Sequence, residues 1–185
     1  MRCAWAEQSD VERIYHDTEW GLPIHDDRQL FELITLRGAA AGLSWRTILG
    51  KRERYRRIFH DYDLSRIAAM TDDDLALVRR DRTIIRHRLK IASVRGNARA
   101  ALRLIEREGS LSGFLYAFVD GSAVPAPART AFGWRSRCDI SDVMSATLHK
   151  RGFRFAGTAI CYALMQAMGM VDGHEPGCRH RATAG

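Results

Sequence analysis

Residues 156–170 read AGTAICYALMQAMGM, and this segment contains no charged side chain. An apolar segment that lacks a polar face is typical of a helix buried on all sides. We therefore expect it to form the central helix of the fold. The preceding residues support this expectation, because Ser141 can cap a helix over Asp142–Arg151 that ends at Gly152.

Further helical patterns lie between this segment and the N-terminus. Apolar residues at helical spacing follow the possible N-cap residues Asp26, Ser44 and Thr71. The longest pattern covers Ile84–Arg107, as one helix or as two with a break near Gly96. Strand signals are almost absent, since no sustained alternation and no hairpin dipeptide between β-branched runs occurs. The sequence predicts an all-α fold.

The composition limits the class of protein. The chain has 185 residues, with 29 Lys and Arg against 22 Asp and Glu and a formal charge of +7. This length fits one domain, or two small lobes that share a core. The basic charge is equally consistent with a polyanionic partner and with a merely basic surface. No apolar run reaches the roughly 18 residues of a membrane span, and no apolar signal region follows Met1, so we expect a cytoplasmic protein without membrane contact.

The two ends of the chain, before residue 26 and after residue 170, look irregular and need a constraint. Each end contributes one cysteine and one histidine. The four residues are Cys3, His16, His174 and Cys178. Two thiolates and two imidazoles form the ligand set of a closed structural zinc site, which would clip both ends together. The alternatives are four unrelated residues, or His180 as a replacement ligand.

Aromatic residues are concentrated near the N-terminus. The group consists of Trp5, Tyr15, Trp20 and Trp45. Such rings could wall a pocket that stacks a flat heterocycle, at about 1–3 kcal/mol per stacked base. The alternative is that they are ordinary core residues. The polar residues within the segment 15–21, YHDTEWG, favour the pocket because they are unusual in a core.

Two basic runs are candidates for contact with nucleic acid. The first is 51–57, KRERYRR, and the second is 79–90, RRDRTIIRHRLK. The second run spans a predicted junction between two helices, where free backbone N–H groups and a positive helix dipole suit a phosphate. The surrounding arginines would add salt-dependent binding. The alternative is a solvated helix face.

Taken together, these segments resemble the DNA-3-methyladenine glycosylase I (Tag) family of helix-hairpin-helix DNA glycosylases. The matching segments occur in the family's order and cover nearly the whole chain. They are Cys3–Trp5, Tyr15–Asp17, Glu19–Gly21, Ala41–Trp45, Ile84–Arg88, Lys90–Ile91, Asn97–Ala98, Lys150–Phe153, Gly157–Thr158, Met165–Ala167, His174 and Cys178.

The resemblance implies a two-lobe, helix-hairpin-helix glycosylase fold as a single domain over residues 1–185. One lobe would hold both termini and one structural zinc, and the helical lobe would hold the DNA-binding hairpin around 79–91. It implies a monofunctional enzyme of base-excision repair that hydrolyses the N-glycosidic bond of an alkylated purine in double-stranded DNA. We expect a monomer, associated with the nucleoid if the source is bacterial.

The resemblance also assigns roles to residues. The zinc ligands would be Cys3, His16, His174 and Cys178. The base-binding residues would be Trp5, Tyr15, Trp20 and Trp45. The DNA-binding residues would be Gly42, Leu43, Arg82, Thr83, Arg86, Arg88 and Lys90, with Leu43 near the gap that a flipped nucleotide leaves.

The chain departs from the family inside the predicted pocket. Arg37 replaces the family's glutamate, which contacts the alkylated base and marks the catalytic position, and Ala40 replaces a glutamine. If Arg37 points inward, its charge and that of a cationic alkylated base would repel. At about 4 Å and an effective dielectric of 20 the repulsion is roughly 4 kcal/mol, which would weaken binding of the base by about three powers of ten. Pairing of Arg37 with Asp17 or Glu19 would partly neutralise it.

Three outcomes follow from this departure. In the first outcome, Arg37 would turn outward to a DNA phosphate, and weak activity on 3-methyladenine would remain. In the second, the pocket would accept a different or bulkier damaged base. In the third outcome, the chain is a zinc-stabilised protein that binds DNA lesions without turnover.

A second departure is Thr83, where a glycine would ease the hairpin turn. Since threonine disfavours a positive φ, we expect the hairpin to avoid that conformation.

Overall fold

Helices carry almost all of the regular structure. The computed structural model describes residues 1–120, 124–125 and 136–181. Within them the α-helices are α1 Asp10–Thr18, α2 Asp27–Ala39, α3 Trp45–Leu49, α4 Arg52–Ile58, α5 Leu64–Ala69, α6 Asp72–Arg80, α7 Arg88–Glu108, α8 Leu111–Tyr116, α9 Asp139–Lys150 and α10 Thr158–Ala167. Short 3₁₀ helices cover Ala4–Gln8, His60–Tyr62 and Ala117–Val119. The all-α prediction is confirmed, and no helix of the described part is long and apolar enough to cross a membrane.

The predicted central helix is α10. Five of its residues are buried, among them Cys161 and Met165. It packs against α9 and α2. The chain then passes through Gly169, at a φ of +73°, into the short strand β2 (Val171–Asp172), which pairs in parallel with β1 (Val124–Pro125).

Helix α2 is buried on all sides over its last three turns. The Asp26 carboxylate begins the helix by accepting from Gln29 N at 2.8 Å, as its N-cap pattern predicts. Every residue from Leu30 to Ala39 is buried, including the charged Glu32 and Arg37. The helix contacts α3, α7, α8 and α10, so both charges must find partners inside the protein.

Helix α7 is a single helix without a break at Gly96. It begins four residues later than the Ile84–Arg107 pattern predicts, because residues 81–87 form a turn. In that turn Asp81 Oδ1 accepts from Thr83 N at 2.7 Å, and His87 caps the helix. Thr83 is not among the residues with positive φ, so that expectation is confirmed.

Helix α9 begins earlier than predicted. Its N-cap is Cys138 rather than Ser141, because the Ser141 hydroxyl is buried and accepts from Cys138 N at 2.9 Å. The helix ends at Lys150, and Gly152 follows with a φ of +96°. Most of the loop predicted over 120–140 lies outside the described residues.

The two ends of the chain meet. Arg179 N donates to Met1 O at 2.8 Å, and Ala4 N donates to a Glu175 carboxylate oxygen at 3.0 Å. Glu175 N in turn donates to Cys3 Sγ at 3.3 Å. The irregular terminal segments are therefore held against each other, which brings the predicted ligand residues of both ends to one place.

Candidate active site

A cluster of cysteine and histidine residues lies at the junction of the termini. The ligand atoms of Cys3, His16 and Cys178 all lie within 4.8 Å of one another, and all three residues are buried. His16 Nε2 lies 3.5 Å from Cys178 Sγ. These residues could bind a metal ion.

His174 lies beside this cluster and is prepared as a ligand. Its ring centroid is 5.4 Å from that of His16, and its buried Nε2 has no hydrogen-bond partner among the described residues. Its Nδ1 contacts Asp172 Oδ1 at 2.9 Å, just as His16 Nδ1 contacts Asp17 Oδ1 at 3.0 Å. Carboxylates commonly orient metal-binding imidazoles in this way, so the donor set fits a closed tetrahedral zinc site.

His180 remains close enough to compete. Its ring centroid lies 5.2 Å from that of His16, and it forms a second possible ligand group with His16 and Asp17. Its side chain is 31% exposed, against 6% for His174. His174 is therefore the better fourth ligand for a closed site.

The predicted aromatic residues divide into two sets. Trp20 packs on the metal-ligand cluster, with its ring centroid 4.6 Å from that of His174, and Trp5 packs against Trp20 at 5.0 Å. Tyr15 pairs with Trp45 at a centroid distance of 5.3 Å, and Trp5 is its more distant neighbour at 6.4 Å. Helix α1 thus places His16 in the cluster and its neighbour Tyr15 in a separate pocket.

A small cavity of about 40 Å³ lies beside this second pair of rings. It is lined by Tyr15, Trp45, Leu36, Glu19, Glu32 and Arg52, with other residues. Trp5 and Trp20 are not among the described residues of its lining. A larger open cleft, about 580 Å³, lies between α4, α5 and α6 and shares no residue with this cavity. A hollow therefore lies beside two of the four predicted rings, Tyr15 and Trp45. Binding of a base by these rings remains a prediction.

Arg37 points inward, onto the two rings that wall this cavity, although it is not among the residues described for the cavity's lining. Its guanidinium carbon lies 3.8 Å from the centroid of the Trp45 ring, a cation–π contact. Its Nη2 donates to Tyr15 Oη at 3.2 Å. The residue is only 9% exposed, so the expected outcome in which Arg37 reaches a DNA phosphate is not the one that the structure adopts.

Neither predicted carboxylate neutralises Arg37. Asp17 is bonded to Arg2 at 2.7 Å and contacts His16. Glu19 accepts from Arg52 Nη1 at 2.7 Å. The expectation that Asp17 or Glu19 pairs with Arg37 is therefore wrong, because other cations already hold both.

A buried ion network lies behind the pocket. The Glu32 carboxylate accepts from Arg52 Nε at 2.9 Å and from Arg56 Nε at 2.8 Å. Burial opposes ionisation of Glu32, but these hydrogen bonds outweigh it and lower its pKa. Burial also raises the pKa of Tyr15, against the opposing effect of Arg37. Both glutamates of the pocket wall, Glu19 and Glu32, are therefore already paired with arginines.

The two basic runs differ in structure. In the first run, Arg52, Arg54 and Arg56 form ion pairs with acidic residues of the chain, so this run mainly joins the protein to itself. In the second run, Arg82, Arg86 and Arg88 are exposed and form no ion pair with any described residue. These three, with the exposed Thr83, surround the turn that opens α7.

Lys90 has a contact that its sequence pattern did not predict. Its ammonium donates to Ala39 O at 2.9 Å and to Ala41 O at 2.6 Å. These carbonyls lie at and just after the C-terminal end of α2, which attracts a cation. The contact ties the exposed turn of Gly42 and Leu43 to the first turn of α7. Lys90 thus positions this turn, and its predicted contact with DNA remains a prediction.

The comparison with protein families agrees with this geometry. A family model described as methyladenine glycosylase matches residues 5–182. The chain is similar to DNA-3-methyladenine glycosylase 1 of Escherichia coli, with 44% identity over 177 residues that cover 96% of this chain and 95% of the relative. The resemblance inferred from the ordered motifs is confirmed.

Solved structures agree as well. A crystal structure of 3-methyladenine DNA glycosylase I matches with a TM-score of 0.92 and 44% identity, over 98% of this chain and 100% of that chain. The Staphylococcus aureus enzyme, solved to explain its recognition of 3-methyladenine, matches with a TM-score of 0.92 and 31% identity, over 100% of this chain and 98% of that chain. The fold therefore matches that of these glycosylases over nearly the whole chain.

Proposed function

Because this chain belongs to the methyladenine glycosylase family, we infer that it is a DNA glycosylase of base-excision repair. It hydrolyses the N-glycosidic bond of an alkylated purine. The observation that carries this inference is the hollow beside Tyr15 and Trp45, because Trp45 begins the helix that follows the exposed turn of Gly42 and Leu43.

The pocket residues act on a base that has left the duplex. Extrusion costs a few kcal/mol, and stacking on an aromatic ring returns about 1–3 kcal/mol. Trp45, half-buried beside the cavity, is the ring available for stacking. Trp5 and Trp20 support the pocket indirectly, by packing on the metal-ligand cluster that fixes α1.

The test of this function is release of free base from duplex DNA carrying methylated purines. We expect the protein to release a methylated purine faster than spontaneous loss, and Trp45→Ala to slow release about tenfold or more, because it removes the stacking surface. Released bases are measured by chromatography. Tight binding to an abasic-site duplex with no release would instead support the lesion-binding alternative.

We propose that double-stranded DNA binds across the second basic run and the Gly42–Leu43 turn. Arg82, Arg86 and Arg88 would contact DNA phosphates. Thr83 would lie where the DNA backbone comes near the turn that precedes α7. The Leu43 side chain, 44% exposed at the tip of its turn, would occupy the gap left by the extruded nucleotide. Lys90 would fix the position of the Gly42–Leu43 turn relative to the hairpin, through its bonds to Ala39 O and Ala41 O. Action as a monomer in the cytoplasm, on nucleoid DNA if the source is bacterial, belongs to the same proposal.

DNA binding of this kind depends steeply on salt. Arg86→Ala should weaken binding to an abasic-site duplex and reduce the salt slope by about 1, because one phosphate contact is lost. Arg107→Ala is the matched control, since this exposed arginine lies in the last turn of α7, at the opposite end of the helix from Arg86. Equal slopes for both variants, measured by fluorescence anisotropy at several salt concentrations, would contradict the proposed surface.

We propose that the cluster of Cys3, His16, His174 and Cys178 binds one structural zinc ion. The support is the buried donor set and the unpartnered Nε2 of His174. An ion bound there in tetrahedral geometry would be coordinated by the ligand atoms of these four side chains. It would also hold the two termini together. All four positions would be protein ligands, so the ion would serve structure and leave the chemistry to the pocket.

Metal analysis of the purified protein should find one zinc per chain. His174→Ala and Cys3→Ser should lower both the zinc content and the thermal stability, because each removes a ligand. Cys138→Ser is the control, since that cysteine lies at the N-terminus of α9 and outside the cluster. Full zinc content in His174→Ala would assign the fourth position to His180.

A further inference from the structure

Arg37 is a buried cation with an unused donor. Its terminal nitrogen is bonded to Tyr15 and its plane lies on Trp45. Its Nε is also buried and has no hydrogen-bond acceptor among the described residues. A buried N–H group without an acceptor destabilises a folded protein. An acceptor on a molecule that enters the pocket would remove this cost.

The charge of Arg37 is not neutralised inside the pocket. The two carboxylates of the cavity wall are Glu19 and Glu32, and Arg52 binds both while Arg56 also binds Glu32. A base that stacks on the Trp45 ring therefore meets the Arg37 cation, which lies 3.8 Å from the centroid of that ring. An N3-alkylated adenine in DNA is itself a cation, and like charges at close range repel. This pocket is electrostatically matched to a neutral base.

The donor pattern narrows the class of base. A guanidinium can donate two parallel N–H bonds, and the O6 and N7 atoms of a 6-oxopurine accept such a pair. Adenine presents an amino donor at the corresponding position, which opposes a second donor. We propose that Arg37 is the specificity-determining residue of this pocket and selects a neutral 6-oxopurine, such as hypoxanthine, over a cationic N3-alkylated adenine.

This proposal rests on the glycosylase function proposed above and changes its preferred base, because hypoxanthine is a deaminated and not an alkylated purine. Release of a methylated purine is then the slower activity of the same pocket. The bond between C1′ of the sugar and N9 of the purine breaks, and both bonding electrons leave with the base. A neutral base departs as an anion, which the Arg37 cation stabilises, whereas a cationic base departs neutral. Water then adds its oxygen to C1′, and its proton ends on the released base.

Entry of a base requires Arg37 to move. The cavity of about 40 Å³ has room for little more than one water molecule. The guanidinium must therefore slide from the Trp45 ring to the edge of the incoming base, whose face then takes its place on the ring. Undamaged guanine presents the same acceptor edge, but its stable pairing raises the cost of extrusion. A mispaired hypoxanthine leaves the stack at lower cost.

The experiment compares single-turnover release of hypoxanthine and of 3-methyladenine from otherwise identical duplexes, each corrected for spontaneous loss. Arg37→Met, which removes the charge at similar length, should lower hypoxanthine release about ten- to hundredfold. It should also raise 3-methyladenine release. Arg37→Glu should shift both rates further in the same directions. Arg107→Glu, far from the pocket, is the control for charge reversal and should change neither rate.

Opposite changes on the two substrates cannot result from poor folding, which would lower both rates. The proposal is overturned if wild-type protein releases hypoxanthine no faster than Arg37→Met does. It is also overturned if both variants lose activity on both substrates while their melting temperatures match that of the wild type. Failure of every protein to release either base would instead remove the glycosylase function itself.

Discussion

The position of helix α1 is the constraint on which the site depends. His16 joins the cysteine–histidine cluster of the two termini, and Tyr15, its neighbour along the helix, forms the pocket wall with Trp45. Consecutive helical residues point in different directions, so one helix serves both places. Trp20 and Trp5 fill the space between the cluster and the pocket. Whatever fixes the termini therefore also fixes the distance between Tyr15 and Trp45.

A second constraint comes from the burial of α2. A helix that is enclosed on all sides can carry charges only where partners are supplied from elsewhere. Glu32 receives two arginines from α4, whereas Arg37 receives an aromatic face and a phenol oxygen. The first charge is neutralised, whereas the second forms no ion pair with any residue that the structure describes. This asymmetry gives the pocket its positive character, and it distinguishes this chain chemically from a pocket lined by a carboxylate.

Much of the fold could be predicted from the sequence, because local signals act within a few residues. The apolar segment of α10 and the cap of α2 are examples, and the ordered motifs were sufficient to identify the family. Contacts between distant segments could not be predicted in this way. Lys90 reaches carbonyls about fifty residues earlier in the chain, and Asp17 and Glu19 bind arginines that no spacing rule connects with them. The direction of the Arg37 side chain depends on Trp45, which belongs to another helix. The sequence alone therefore did not predict whether Arg37 points inward or outward.

The most direct test of this account is the crystal structure of the protein bound to a duplex with an abasic-site analogue. With no base in the pocket, the account predicts that the Arg37 guanidinium stays stacked on the Trp45 ring and bonded to Tyr15. A guanidinium that instead lies outside the pocket on a DNA phosphate, with Trp45 uncovered, would contradict the central claim that this pocket is built around an inward-facing cation.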